Sequence, residues 1–197
     1  ISMFAFLPTL VKDFVFPFYI NANFILDPPR QRVLGDSAWN LYLFKVLAEK
    51  IVDWSIYLSK RNDRNALNIL PYKKFDESSS DISLLAKSFN EAYLSAILNK
   101  AFILNEDGEF AKQESIIIDK SGLSDKISHE AFYKILGTCK RLVSSALDSK
   151  ILNKPLFSGI ESIKDEYILN RLEKEIDIKA LHDELNEDDF NLNSATL

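Results

Sequence analysis

Residues 14–40 read FVFPFYINANFILDPPRQRVLGDSAWN, and this stretch changes character three times. Residues 14–26 are crowded with aromatic and β-branched side chains and show no helical period, so they are expected as strand, as are residues 3–7. Pro17 suits a strand edge or start, because it has no N–H to give to a ladder. Asp27-Pro28-Pro29 then stops the run, since the residue before a proline avoids the helical region and each proline removes a donor. Past Gly35, either Asp36 or Ser37 can cap a helix that begins around Trp39-Asn40.

Working outward, the helix is expected to run to about Lys60, with Leu43, Leu47, Ile51, Trp54 and Leu58 on its inner face and Trp39, Tyr42 and Val46 widening that stripe. Residues 61–80 carry Arg61, Arg64, Pro71, Lys73 and a triple serine, and read as a linker or loop. A second helix is expected from Asp81 as N-cap to about Lys100, with Leu85, Phe89, Ala92, Tyr93, Ala96 and Ile97 facing inward. Asn105-Glu106-Asp107-Gly108 lies between two apolar runs and predicts a hairpin turn, and Ile116–Ile118 reads as a further strand.

From Ser128 onward the spacing predicts helices. Phe132, Ile135, Leu136, Leu142, Val143 and Leu147 belong to one segment; Ile163, Ile168, Leu172 and Ile176 belong to another, with Pro155 and Gly159 between them. Leu181–Leu185 adds a short helix before a polar end. The expected class is α+β in three parts: a strand–loop–helix layer over 1–70, a helix with a small sheet over 71–120, and a helical part with an acidic end over 121–197.

Composition removes several classes of function. The chain has 197 residues, 47% of them hydrophobic, with 5 glycines and 6 prolines, so it can build a core and is not low-complexity. The net charge of −5 is uneven: residues 161–197 hold four basic against eleven acidic residues, which leaves them at −7 and the rest at +2. An acidic end repels nucleic acid and anionic lipid. Basic residues cluster locally only at Lys60, Arg61 and Arg64, with Lys73 and Lys74 a few positions on, and the aromatic residues that could stack bases lie mostly in the apolar helix face, so a nucleic-acid partner is not expected.

Lys12 and Asp13 interrupt the most apolar region, so no membrane span is expected either. The start at Ile1-Ser2-Met3-Phe4 has no signal-peptide character and reads as a cut inside a longer, cytoplasmic protein.

Candidate catalytic groups are sparse. The lone Cys139 can form neither an intramolecular disulfide nor a cysteine cage, and its partly apolar surroundings predict a small core residue. His129 and His182 lie far apart in sequence and neither has a nearby Cys or His partner, so no metal site is expected. Glu187, Asp188 and Asp189 are expected to be solvated. Phosphate-binding glycine loops, zinc-protease helices and nucleophile elbows are missing, so the chain alone is not expected to be an enzyme.

The unit formed by Asn21-Ala22-Asn23-Phe24, Asp27-Pro28-Pro29, Arg30-Gln31-Arg32 and Ser37-Ala38-Trp39-Asn40 resembles the region after the ATP-binding domain in sacsin-like and heat-shock-chaperone GHKL ATPases. There a strand is followed by an arginine-bearing loop and a long helix. Residues 97–119, ILNKAFILNEDGEFAKQESIIID, resemble a hairpin unit that recurs downstream in the sacsin-like members. The resemblance implies a chaperone-like middle segment whose loop arginine reaches the γ-phosphate of ATP, with its magnesium, held by an upstream ATP-binding domain of the same polypeptide.

Arg30 is the matching position and Arg32 a second candidate, because Gln31 separates them and stands where the chaperones often have an acid. A guanidinium suits that role, since it bridges phosphate oxygens and stabilises charge during hydrolysis. The fragment itself is expected to bind no cofactor and to relay the signal to a protein client. Two alternatives stay open: Arg30 pairs with Asp27 or Asp36 and simply stiffens the loop, or the chain is a protein-interaction scaffold with no nucleotide role, as in a bacterial defence-associated protein.

Overall fold

Two helices and a parallel sheet divide the architecture between them. The computed structural model describes residues 3–174 apart from 6, 10, 62, 64, 79 and 80, and these form an α+β fold.

The first helix, α1 (Ala38–Lys60), starts at Ser37, whose hydroxyl accepts the Asn40 N–H. It packs along α2 (Ser83–Asn99). The buried positions of α1 are Asn40, Phe44, Ala48, Ile51, Val52 and Ser55. Of the expected line through Leu43, Leu47, Ile51, Trp54 and Leu58, Ile51 is buried and Leu43 and Leu47 pack partly buried against the core, and the inner face is rotated away from Trp54. Ala48 and Ser55 are small residues on this buried face, and Ser55 satisfies its hydroxyl on the Val52 carbonyl. Trp54 is 40% exposed and lies edge-on to Phe18. On α2, by contrast, Leu85, Phe89, Ala92, Tyr93, Ala96 and Ile97 are all buried, as their spacing predicts.

The aromatic stretch behaves differently from its β propensity. Only Ile20–Asn21 (β3) forms a named strand there, running parallel to β1 (Met3–Ala5), which also pairs antiparallel with β2 (Leu7–Pro8). Phe14 instead packs edge-on against Phe44 and Phe75, and Phe16 against Phe75 and Phe89. These rings plug the space between helices, so their burial comes from an irregular backbone and not from a pleated face.

Phe75 belongs to the stretch read as a linker. That stretch contains a short 3₁₀ turn, Ala66–Ile69, and buries Ala66, Leu67 and Leu70 beside α1. It is part of the core.

The predicted hairpin is present as β4 (Ile103–Leu104) and β5 (Phe110–Ala111), with Gly108 in the left-handed region at φ 79°. The strand read at Ile116–Ile118 is β6 (Ile116–Asp119), the centre of a parallel sheet between β7 (Arg141–Leu142) and β8 (Glu161–Ile163). Strand alternation sends Ile116 into the large core, which runs from Met3 to Ile160, and Ile117 into a smaller one.

The smaller core is built by α3 (His129–Leu136) and α5 (Asp165–Lys174), with Phe132, Ile135, Leu136 and Ile168. A short α4 (Ser149–Leu152) precedes β8.

The part beyond residue 121 is therefore not purely helical. Gly137 adopts φ 60° and ends α3, so Leu142 enters a strand in place of continuing the helix. Cys139, expected in the core, is exposed. Ile176, Leu181–Leu185, His182 and Glu187, Asp188 and Asp189 lie outside the described residues. No helix among the described residues is long and apolar enough to cross a membrane.

Candidate functional site

The loop carrying Arg30 and Arg32 is closed by an antiparallel bridge between Leu26 and Val33. The Asp27 N–H donates to the Arg32 carbonyl at 2.9 Å, and the Leu34 N–H donates to Ile25 at 3.0 Å. Inside the loop the Asp27 carboxylate accepts from the N–H groups of Gln31 (2.7 Å) and Arg32 (3.0 Å), while its carbonyl accepts from Arg30 N–H at 2.8 Å. One aspartate thus folds the loop that Pro28 and Pro29 have already bent.

Arg30 sits at φ 58°, the one non-glycine residue at positive φ among the described residues. A side chain in that region costs roughly 1–2 kcal/mol. The surrounding hydrogen bonds hold it there, and Arg30, Gln31 and Arg32 are all exposed. Arg32 and Asp81 form an ion pair at 3.2 Å with both side chains largely solvated. Arg30 forms no ion pair with a carboxylate among the described residues, and the Asp27 carboxylate is occupied by backbone donors. The two candidates therefore differ: Arg32 ties the loop to the start of α2, and Arg30 is presented at its tip.

Three further contacts fix the loop on its helices. Asn40, fully buried, accepts from Ile25 N–H (2.9 Å) and donates to the carbonyls of Ile25 (2.7 Å) and Leu34 (2.9 Å). Trp39 Nε1 donates to the Asn23 carbonyl at 2.8 Å. At Gly35 a Cβ would run into the carbonyl oxygen of Asp81, so glycine is needed for the backbone of the loop to meet that of α2's start. Asp81, expected as the N-cap of α2, instead reaches Arg32; Ile82 occupies the cap position and makes no side-chain cap bond.

Asn40 could have been noticed from the sequence. A polar amide four residues before Phe44, on a helix face that must be buried, needs partners. The Arg32–Asp81 pair carried no such signal.

Elsewhere, Asp119 at the carboxyl end of β6 accepts hydrogen bonds from Ser121 and Ser124. Burial pushes this carboxyl up, but those bonds together outweigh it and hold it below its usual range. They close a turn. His129 is exposed, and among the described residues no group of three or more His, Cys, Asp or Glu side chains is placed to hold a metal ion.

No known family model matches the chain, and neither curated proteins nor solved structures give a match.

Proposed function

We propose that this chain is a non-catalytic transducer segment of a GHKL-type, sacsin-like ATP-binding protein, and that Arg30 is the side chain it offers to the γ-phosphate of ATP. The carrying observation is the backbone of Arg30, held at φ 58° at the tip of a hydrogen-bonded loop with its guanidinium outside any ion pair among the described residues. Strained backbone held by its surroundings is a feature that clusters at ligand clamps and active sites, which supports a functional role for Arg30. In this reading Arg32 is the tether, because its charge is already met by Asp81. The nucleotide and its magnesium belong to the upstream domain. Arg30 would supply a planar pair of donors to phosphate oxygens as negative charge shifts toward the leaving group. Loop position would pass through Asn40 and Trp39 into α1, and from there toward a client.

The test is ATP turnover by the full-length protein. Arg30→Ala should lower it about a hundredfold or more, in line with transition-state arginines, and Arg32→Ala should cost far less. Unchanged turnover in Arg30→Ala refutes the reading.

A second reading, a protein-interaction scaffold without a nucleotide role, is favoured by Trp39 and Tyr42. Their rings lie 5.7 Å apart and are 46% and 56% exposed on the outer side of α1. Large exposed aromatics suit a protein interface. Under this reading, Trp39 and Tyr42 substitutions would abolish partner capture while Arg30→Ala leaves every activity intact.

A further inference from the structure

The outer face of α1 carries four large aromatic side chains, Trp39, Tyr42, Trp54 and Tyr57, that stay between 40% and 56% exposed. At 3.6 residues per turn they share one face with Val46 and Lys50, opposite the buried Phe44, Ala48, Val52 and Ser55. That face runs along a helix of 23 residues, a length of about 34 Å. Apolar side chains scattered singly are ordinary on a surface, whereas a band of them marks an interaction face.

The rings are held in place. Trp39 is bonded to the Asn23 carbonyl, and its ring lies 5.7 Å from that of Tyr42. Trp54 lies edge-on to Phe18 at 5.2 Å, and Arg61 donates to the Tyr57 hydroxyl at 2.9 Å. Fixed aromatic anchors lose little freedom on association.

Their order along the helix selects the partner. Counted from position 48, Trp39 and Tyr57 lie nine residues to either side, Tyr42 and Trp54 six, and Val46 and Lys50 two. A face with the same spacing in both directions matches a second copy of itself turned end for end. Trp39 then meets Tyr57, Tyr42 meets Trp54, and the aliphatic stem of Lys50 covers Val46. Such a self-complementary contact is what a two-fold axis requires.

Charge agrees with that orientation. Asp36 stands just ahead of α1, Lys60 and Arg61 stand at its end, and none of the three is in an ion pair among the described residues. Reversing the second helix sets Asp36 of each copy against Lys60 and Arg61 of the other, with the helix dipoles opposed favourably. A parallel copy would set like charges against like. Lys45, Glu49 and Asp53 follow one another at spacings of four along one flank, and reversal brings Lys45 of each copy between Glu49 and Asp53 of the other.

We infer that two copies of this chain associate through the outer faces of α1, antiparallel about position 48. The inference goes beyond the scaffold reading by naming the occupant of the aromatic face, and it holds whether or not Arg30 meets ATP.

Sedimentation velocity of the full chain tests it, with reductant present so that the exposed Cys139 cannot cross-link copies. Wild type should pass from monomer to dimer as concentration rises, and the emission of Trp39 and Trp54, the two tryptophans of the chain, should move to the blue with it. Tyr42→Asp and Tyr57→Asp, at exposed positions, should each weaken dimerisation at least about tenfold, as loss of a central aromatic anchor does. Leu94→Ser, on the exposed side of α2, should leave it unchanged. Asp36→Lys and Arg61→Glu should each weaken it about threefold, and a chain carrying both should recover. Asp36 and Arg61 of one chain stand at opposite ends of α1, about 35 Å apart, so recovery can only come from an antiparallel second copy. Wild type that stays monomeric up to about 0.1 mM overturns the inference and leaves the face to a different protein, which partner capture would detect. A dimer that survives both tyrosine changes also overturns it, as does a double charge variant that fails to recover.

Discussion

Asn40 grips Ile25 from both sides, taking its N–H and giving to its carbonyl, and with its remaining donor reaches Leu34 on the opposite arm of the arginine loop. A buried side-chain amide thus stands in for a strand between the two arms. Replacing it by alanine takes the Asn40 partner from the Ile25 N–H and the Leu34 carbonyl, while the Ile25 carbonyl keeps the Leu34 N–H. Unsatisfied buried groups cost about 1–3 kcal/mol each, partly relieved when the loop opens. Asn40→Ala should lose about 2–4 kcal/mol, seen as a lower urea midpoint with an unchanged slope. Asn40→Asp keeps the bond from Ile25 N–H but buries a charge facing two carbonyls, and should be worse.

Gly35 makes a sharper prediction about the same loop. A methyl group there collides with the Asp81 carbonyl, which is backbone and cannot swing aside. Gly35→Ala should push the loop away from the start of α2 and cost about 1–3 kcal/mol, as overpacking does. Removing the Arg32–Asp81 pair by Asp81→Ala should cost under about 1 kcal/mol, since both partners are solvated. Comparable losses in the two variants, measured by thermal unfolding, would mean that the ion pair, not the backbone contact, holds the loop.

What the sequence conveys about this fold depends on how local each feature is. The inner face of α2 is legible because Phe89, Tyr93 and Ile97 are large and regularly spaced. The α1 face is legible in part, with Ile51 buried and Leu43 and Leu47 against the core, but an apolar period marks a wide sector and does not single out the small buried Ala48 and Ser55. Strands β7 and β8 are invisible because two or three residues cannot display an alternation. At the site, Pro28, Pro29 and the arginines announce a loop. The left-handed backbone of Arg30 and the partner of Arg32, 49 residues away, depend on tertiary structure.

Acid should weaken the contact between the two long helices. Asp53 of α1 bonds Lys100 just past α2 and pairs with Lys50 at 3.3 Å. The hydrogen bond from Lys100 is the main cause that holds the Asp53 carboxyl below its ordinary 3.8, with Lys50 adding to it and burial opposing. A carboxyl with a lowered folded value binds fewer protons in the folded state, so its stabilisation is present above the unfolded value and is lost as pH falls through the folded one. Asp53→Asn should therefore be less stable than wild type at pH 6, and the difference should shrink below about pH 4. A difference that stays constant from pH 6 to pH 3 would show that the charge on Asp53 contributes nothing.

Arg30 allows stability and function to be separated. Its φ of 58° is natural for glycine and unfavourable for any other residue at that point. If the loop only needed its shape, Arg30→Gly would be an improvement: relieving the left-handed strain should raise stability by up to about 1 kcal/mol, offset in part by the extra freedom of glycine in the unfolded chain. If the guanidinium is what the loop exists to present, the same change should leave the fold intact and remove ATP turnover in the full-length protein as completely as Arg30→Ala does. Arg30→Lys discriminates further, because lysine restores the positive charge but not the bidentate fork and should recover only a small part of the rate. Unfolding midpoints measured beside turnover for glycine, alanine and lysine at position 30 would therefore test whether the strain is maintained for chemistry. A chain whose Arg30→Gly variant is both more stable and fully active would show that it is not.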